Sequence, residues 1–251
     1  MEQINFKIVI EYDGTNFAGW QIQKKGVTVQ AELERAISII LNQPIKLIGS
    51  GRTDAGVHAM GQVANFHAYT AISSKNLLKA LNSIIKTPIV IHSCDVVQLN
   101  FHARYSATSK EYHYHILNRQ IPCAVGRDYV WQVRQGLDVD AMRCCSKVLI
   151  GKHDFKSFEA SGSPRSHTVR EIFCASIESV EDNGGRRVIF KIKGDGFLRF
   201  MVRNIVGTLM MAGLSKITPD DFKAILEAKD RAFAGATAPA KGLFLMRVNY
   251  D

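Results

Sequence analysis

Phe6, Ile8, Ile10 and Tyr12 alternate with Lys7, Val9 and Glu11, the period of two that a strand imposes on its faces. Asp13-Gly14-Thr15-Asn16 then supplies turn residues. From Thr28, an N-cap residue, the apolar positions Val29, Leu33, Ala36, Ile37, Ile40 and Leu41 recur at helical spacing, until Asn42 and Pro44 end the pattern. Residues 45–48 read as a short strand and residues 62–67 as another, after a glycine-rich connection. Ser73 opens a second helix with Leu77, Leu78, Leu81, Ile84 and Ile85 on one face, stopped at Pro88. Ile89-Val90-Ile91 begins one more strand. The order β-α-β-β-α-β is that of a ferredoxin-like, split β-α-β unit.

The remainder reads in the same way. Tyr112, Tyr114 and Ile116 alternate through residues 107–117, and Asp138 caps a helix with Met142, Cys145, Val148 and Leu149 inward. Strands over 168–178 and 186–194 are joined by the turn Asp182-Asn183-Gly184-Gly185. A helix over 197–213 carries Phe200, Met201, Val202, Ile205 and Leu209; a short helix follows from Thr218-Pro219-Asp220, and residues 243–250 form a last strand. The expectation is an α+β protein of two ferredoxin-like or RRM-like halves, residues 1–105 and 106–251. Their antiparallel sheets are expected to join around a central cleft.

Composition narrows the class. With 251 residues, 46% hydrophobic and 22% charged, the chain can build a core, which excludes extensive disorder. No apolar run approaches the roughly 18 residues of a membrane span, and the apolar stretch at residues 6–10 is too short for a signal sequence. A cytoplasmic protein is expected. Its five cysteines include no C-x-x-C pair and read as reduced core thiols rather than metal ligands. The net charge of +9 is spread, +3 before Tyr105 and +6 from there on. Such a balance suits a polyanion, nucleic acid above all; charge alone equally fits a merely soluble basic protein.

The densest concentration of chemistry is Gly49-Ser50-Gly51-Arg52-Thr53-Asp54-Ala55-Gly56-Val57-His58-Ala59, between two strands. It lacks the final glycine of a dinucleotide fingerprint, where Asp54 stands, and the Gly-Lys-Ser/Thr of a P-loop. What remains is one carboxylate between glycines, with Arg52 as a neighbouring cation and His58 as a hydrogen-bonding imidazole. Two readings stay open on these residues alone: a reactive carboxylate on a loop, or an Asx-turn aspartate in a tight connection. An Asp54/His58 metal pair lacks a third ligand at a recognisable spacing.

The segment from Gly51 to Ala59 resembles the signature of the TruA family of tRNA pseudouridine synthases, and four further blocks occur in that family's order. Phe17-Ala18-Gly19-Trp20-Gln21-Ile22-Gln23 is similar to its F-x-G-W-Q-x-Q block, and Phe101-His102-Ala103-Arg104 with Lys110-Glu111-Tyr112-His113-Tyr114 to its F-H-A-R…Y-x-Y block. Phe200-Met201-Val202-Arg203-Asn204-Ile205-Val206-Gly207 resembles M-V-R-N-I-V-G, and Ala238-Pro239-Ala240-Lys241-Gly242-Leu243 resembles A-P-A-x-G-L. The resemblance implies isomerisation of uridine to pseudouridine at positions 38, 39 and 40 of the tRNA anticodon stem-loop. It also implies a homodimer with one tRNA lying across both subunits.

It further implies site roles. Asp54 is the nucleophile; the uracil leaves C1′ as a stabilised anion, turns and returns through C5, so one carboxylate suffices where a glycosidase needs two. Neither metal nor organic cofactor is required. Arg203 is the cation that keeps Asp54 ionised against desolvation, although, between Val202 and Ile205, it reads equally well as a residue that snorkels to the surface. Tyr112 stacks on the uracil, Leu243 forms an apolar wall, Arg52 helps extrude the nucleotide and His58 sits by the substrate. Tyr112 and Leu243 fit an ordinary core as well. His102 touches RNA or caps a turn, while His113 and His115 face away from Tyr112 and Tyr114. Basic residues at 165, 170, 186, 187, 191 and 193 line an RNA track or a solvated face, and residues 161–167 fall where the family's pattern is variable, so the resemblance assigns them no RNA contact. Two other readings remain, a non-catalytic RNA-binding module and a glycosidic-bond hydrolase, the latter needing a second carboxylate or a metal beside Asp54.

Overall fold

The computed structural model describes residues 2–160, 162, 167–182 and 184–250. Among these, ten strands and five α-helices form a mixed α+β architecture in two compact units, Met1–Thr108 with Phe244–Asp251, and Ser109–Leu243.

In the first unit β1 (Gln3–Tyr12) runs antiparallel to β3 (His58–Tyr69) on one side and to β4 (Ile89–Val97) on the other. The alternation of β1 is realised: Phe6, Ile8, Ile10 and Tyr12 are buried, while Lys7, Val9 and Glu11 are only partly covered. Phe6 stands opposite Phe66 of β3 and the two rings stack at 5.4 Å. Helices α1 (Val29–Leu41) and α2 (Ser74–Ile84) bury Leu33, Ala36 and Ile37, and Leu77 and Leu81. Thr28 and Ser73 cap them, accepting hydrogen bonds from Ala31 N and Asn76 N.

The strand expected over residues 45–48 shrinks to β2 (Ile48–Gly49), which pairs with β3. Two side chains of α1 take the backbone groups that a longer ladder would use. Glu34 Oε1 accepts from Leu47 N, and Gln30 Nε2 donates to Leu47 O. β10 (Leu243–Asn249) begins at the last residue of the second unit and then runs parallel to β3 in the first, Phe244 opposite His58.

The second unit holds the antiparallel order β5 (Ser109–Asn118), β9 (Arg186–Gly194), β8 (Val169–Glu181), β7 (Gly151–Asp154). β6 (Trp131–Val133) lies parallel to the end of β5. β7 carries no apolar alternation and goes unread in the sequence; it forms because β8 offers it an edge, and Thr168 Oγ1 donates to Asp154 Oδ1 at its end. α3 (Val139–Lys147) is capped by Asp138, and α5 (Pro219–Ala228) by a capping box of Thr218 and Asp221. α4 (Met201–Gly213) buries eleven of its thirteen residues, as a helix apolar all round must. It starts four residues later than its apolar pattern suggests, because Phe200 takes a left-handed φ of 63° and breaks the helix there.

The cysteines correct the expectation of five core thiols. All are free, but only Cys94 and Cys145 are buried, and burial pushes their thiols up to about 12 and about 11. Cys174 is exposed because a register shift in β8 between Ile172 and Cys174 turns both Phe173 and Cys174 outward. Cys144 is exposed on α3 and Cys123 half-buried in a loop. Asn183 and residues 161 and 163–166 lie outside the described residues, Arg165 among them.

Candidate active site

Asp54 stands on the connection between β2 and β3, and the residues on either side of it are clamped. Trp20 N donates to Thr53 O at 3.1 Å, Gly56 N to Phe17 O at 3.4 Å, and Val57 N closes a turn on Asp54 O at 3.2 Å. The Tyr12 hydroxyl meets Thr53 Oγ1 at 2.7 Å, and Gln62 Nε2 reaches Gly51 O at 3.1 Å. Burial holds the Tyr12 phenol well above its usual range, opposed by its hydrogen bonds to Thr53 and Gln62, so the hydroxyl stays a neutral bracket. The Phe17–Gln23 block thus packs against the Asp54 loop, which explains what brings two separate sequence blocks together.

Close backbone approach makes this possible. At Gly19, with φ of 97°, a Cβ would lie 2.7 Å from Thr53 O, and at Gly14 it would overlap the Val57 carbonyl. The Asp54 side chain is half-buried, Arg52 is exposed, and Thr53 between them is buried. His58, by contrast, is 1% exposed. Its Nδ1 lies 3.1 Å from both Gly14 N and Asp13 Oδ1. One nitrogen cannot accept from the amide and donate to the carboxylate at once. The structure has Gly14 N donating to Nδ1, while Asp13 Oδ1 also accepts from Thr15 N and Oγ1. Stacked on Phe244 at 4.7 Å, the imidazole ties the loop after β1 to the start of β3.

Arg203, Tyr112 and Leu243 belong to the second unit. Arg203 sits in the first turn of α4 and is half-buried; Nε donates to Ala238 O at 2.8 Å, and Ala238 N donates back to Arg203 O at 3.1 Å. The guanidiniums of Arg199 and Arg203 each lie 4.9 Å from the Phe200 ring centre. Phe200, in its left-handed conformation, therefore organises two cations at the positive end of a helix. Nothing in the sequence marks Phe as left-handed, so periodicity alone misses this feature.

Deeper in α4, Asn204 donates to Phe158 O and accepts from Thr237 Oγ1 at 2.6 Å, while Thr208 Oγ1 accepts from Gly235 N. These bonds hold the 235–238 segment along the helix, so the M-V-R-N-I-V-G block positions the A-P-A-x-G-L block. Leu243 is buried at the end of that second block.

Tyr112 is 8% exposed on β5, and Phe197 meets its ring edge-on at 5.1 Å. Tyr114, on the same face, is wholly core: its hydroxyl donates to Pro239 O, and burial pushes its phenol up against the opposing charge of Arg203. His113 lies on the other face and bonds Glu111. Three of the basic residues expected along an RNA track are matched with carboxylates, Arg187 with Asp182, Lys191 with Glu178 and, more loosely, Arg186 with Glu181. Their charge toward RNA is correspondingly reduced. Among the described residues no group of three His, Cys, Asp or Glu side chains is placed to hold a metal ion. Nor is any helix among the described residues long and apolar enough to cross a membrane. An open cavity of about 470 Å³ in the second unit is lined by Gln120, Trp131, Arg134, Met210 and Leu214, none of them an expected site residue.

Comparison with known proteins follows these blocks. The model of a family described as tRNA pseudouridine synthase matches residues 8–106 and 146–251. The chain is 46% identical over 246 residues to tRNA pseudouridine synthase A of Thermoanaerobacter sp. (strain X514), covering 98% of this chain and 99% of that one. It is also 46% identical to the protein of the same name from Clostridium acetobutylicum, with the same coverage. Among solved structures it is similar to a crystal structure of a Cbf5-Nop10-Gar1 complex, with a TM-score of 0.41 and 14% identity, over 96% of this chain and 48% of that chain.

Proposed function

This chain belongs to the tRNA pseudouridine synthase family and isomerises uridine to pseudouridine in tRNA; from that premise we propose the site, the residues and their roles. The targets are uridines 38, 39 and 40 of the anticodon stem-loop. Asp54 attacks C1′ of the target nucleotide as the C1′–N1 bond breaks. The uracil anion stays in the pocket and turns, and its C5 bonds to C1′ as the bond from C1′ to Asp54 breaks and frees the carboxylate; the C5 proton is lost and N1 gains one, so product and substrate are isomers and no water is consumed.

The observation that carries this reading is the Asp54 loop. The half-buried Asp54 carboxylate stands on a backbone held at Gly51, Thr53, Gly56 and Val57, which is the pre-organisation a nucleophile needs. Arg203, held at the start of α4 by Ala238 and Phe200, is the cation that favours the ionised carboxylate. Arg52, exposed beside Asp54, engages the displaced nucleotide, and Leu243 lines the pocket wall. His58 serves through the loop that it ties to Gly14. We further propose a cytoplasmic homodimer that binds one tRNA across both subunits.

Incubating purified protein with a uridine-labelled tRNA transcript, without added metal, tests the proposal. Label should pass into pseudouridine at positions 38–40. Free uracil as product would replace the isomerase by a hydrolase, and modification elsewhere in the tRNA would refute the target assignment.

Tyr112 is assigned the stacking contact with the uracil. Tyr112→Ala should lower kcat by about a hundredfold and raise the Kd for tRNA by less than about threefold, while Tyr112→Phe keeps most of the activity, since stacking needs the ring and not the hydroxyl. Equal loss of turnover and binding would make the ring structural.

A further inference from the structure

We propose that Tyr105 is a stacking platform for an unpaired base of the bound tRNA, outside the catalytic residues named above; the inference rests on tRNA being the substrate. Tyr105 is 76% exposed. Single exposed aromatics are common on protein surfaces, so exposure by itself says little. What distinguishes this ring is how firmly the turn beneath it is held.

His102 holds the turn from within. Its Nδ1 accepts from Arg104 N and Tyr105 N, each at 3.2 Å, while Ser106 N donates to His102 O and His102 N to Ser106 Oγ. Because that nitrogen is spent on the turn, the histidine of the F-H-A-R block is a brace. Its ring lies 4.3 Å from the Tyr105 ring, tilted by 31°.

From below, two amides with no exposed surface, Asn5 and Asn65, anchor the segment to the sheet. Asn5 Nδ2 donates to Gln98 O and Phe101 O, Asn65 Oδ1 accepts from Ala103 N, and the two amides bond each other at 3.0 Å. Tyr250 closes the far side, its hydroxyl donating to Ala103 O and its ring 5.0 Å from Phe101.

A ring braced in this way loses little freedom when a base lands on it, so a contact that would be weak on a mobile loop becomes useful. Its chemistry suits RNA. The Arg104 guanidinium lies 5.6 Å from the ring centre and is itself exposed, placing a phosphate-seeking cation beside a flat apolar face, the pairing that single-stranded nucleic acid recognises. Stacking of this kind tolerates any base, so the contact is expected to set affinity and register rather than the choice of uridine.

The test compares Tyr105→Ala and Tyr105→Phe with the unaltered protein for tRNA dissociation constant, kcat, KM, melting temperature and molecular mass in solution. Tyr105→Ala should raise Kd and KM about tenfold with kcat within about twofold, while Tyr105→Phe stays within about twofold of the unaltered protein throughout. Melting temperature and mass should not change. The proposal is overturned if Tyr105→Ala binds tRNA normally, if Phe loses as much as Ala, or if the alanine variant lowers the melting temperature in step with binding. A fall in mass on Tyr105→Ala also overturns it, because the ring would then face a second copy of the chain. Conversion of tRNA by the unaltered protein, measured alongside, separates failure of this contact from failure of the assigned reaction.

Discussion

Replacing Asp54 with asparagine should lower pseudouridine formation by at least about a thousandfold while leaving the dissociation constant for tRNA within about tenfold. The amide matches the carboxylate in shape, and the bonds at Gly51, Thr53, Gly56 and Val57 hold the loop whichever of the two stands at position 54. What disappears is the nucleophile. Affinity persists because neutralised phosphates, not the reacting base, supply most of the binding energy. Single-turnover conversion of labelled tRNA and filter binding measure the two quantities. Retention of a few per cent of the activity would remove Asp54 from the role of nucleophile.

Gly207→Ala should destabilise the protein by about 3 kcal/mol or more, enough to lower the melting temperature by about 6 °C or more. In an ordinary helix interior the change would stabilise by about 1 kcal/mol, since alanine is the better helix former. Here an added Cβ would overlap the Ala236 carbonyl oxygen and lie 2.9 Å from its carbon, and from the other side a Cβ at Gly235 would lie 2.5 Å from Gly207 O. Backbone, unlike a side-chain end, cannot swing aside, so the 235–238 segment must move. That movement also pulls the Ala238 carbonyl away from Arg203 Nε, and activity should fall with stability. Gly213→Ala on the same helix is the control. Its Cβ would meet Met142 Sδ at 2.8 Å, a flexible thioether, and the net cost should stay within about 1 kcal/mol. Thermal unfolding followed by circular dichroism distinguishes the two; equal effects would show that helix propensity outweighs packing.

The contrast between these two glycines shows where sequence reading stops. Both stand in one apolar helical pattern, and nothing in the chain says which faces backbone and which faces a side chain. The same holds for His58 and His102. The motifs that contain them are plain in the sequence, yet in each the ring nitrogen is taken up by backbone amides, at Gly14 and at Arg104 and Tyr105. What the F-H-A-R turn leaves exposed is Arg104 and, next along, Tyr105.

What the sequence determined by itself was whatever local physics controls: the alternation of β1, the helices capped by Thr28, Ser73, Asp138 and Thr218, and the Asp54 loop with its glycines. Side-chain periodicity, capping chemistry and backbone permissiveness act over a few residues, and so they are written locally. Only the tertiary structure decided that Leu47 gives its backbone bonds to Gln30 and Glu34 instead of a ladder, that Phe200 adopts a left-handed turn and delays α4, and that the final strand lies against β3. Each of these is settled by a competition for backbone hydrogen bonds or for space among residues distant in the chain, and the winning partner does not appear in any window of the sequence.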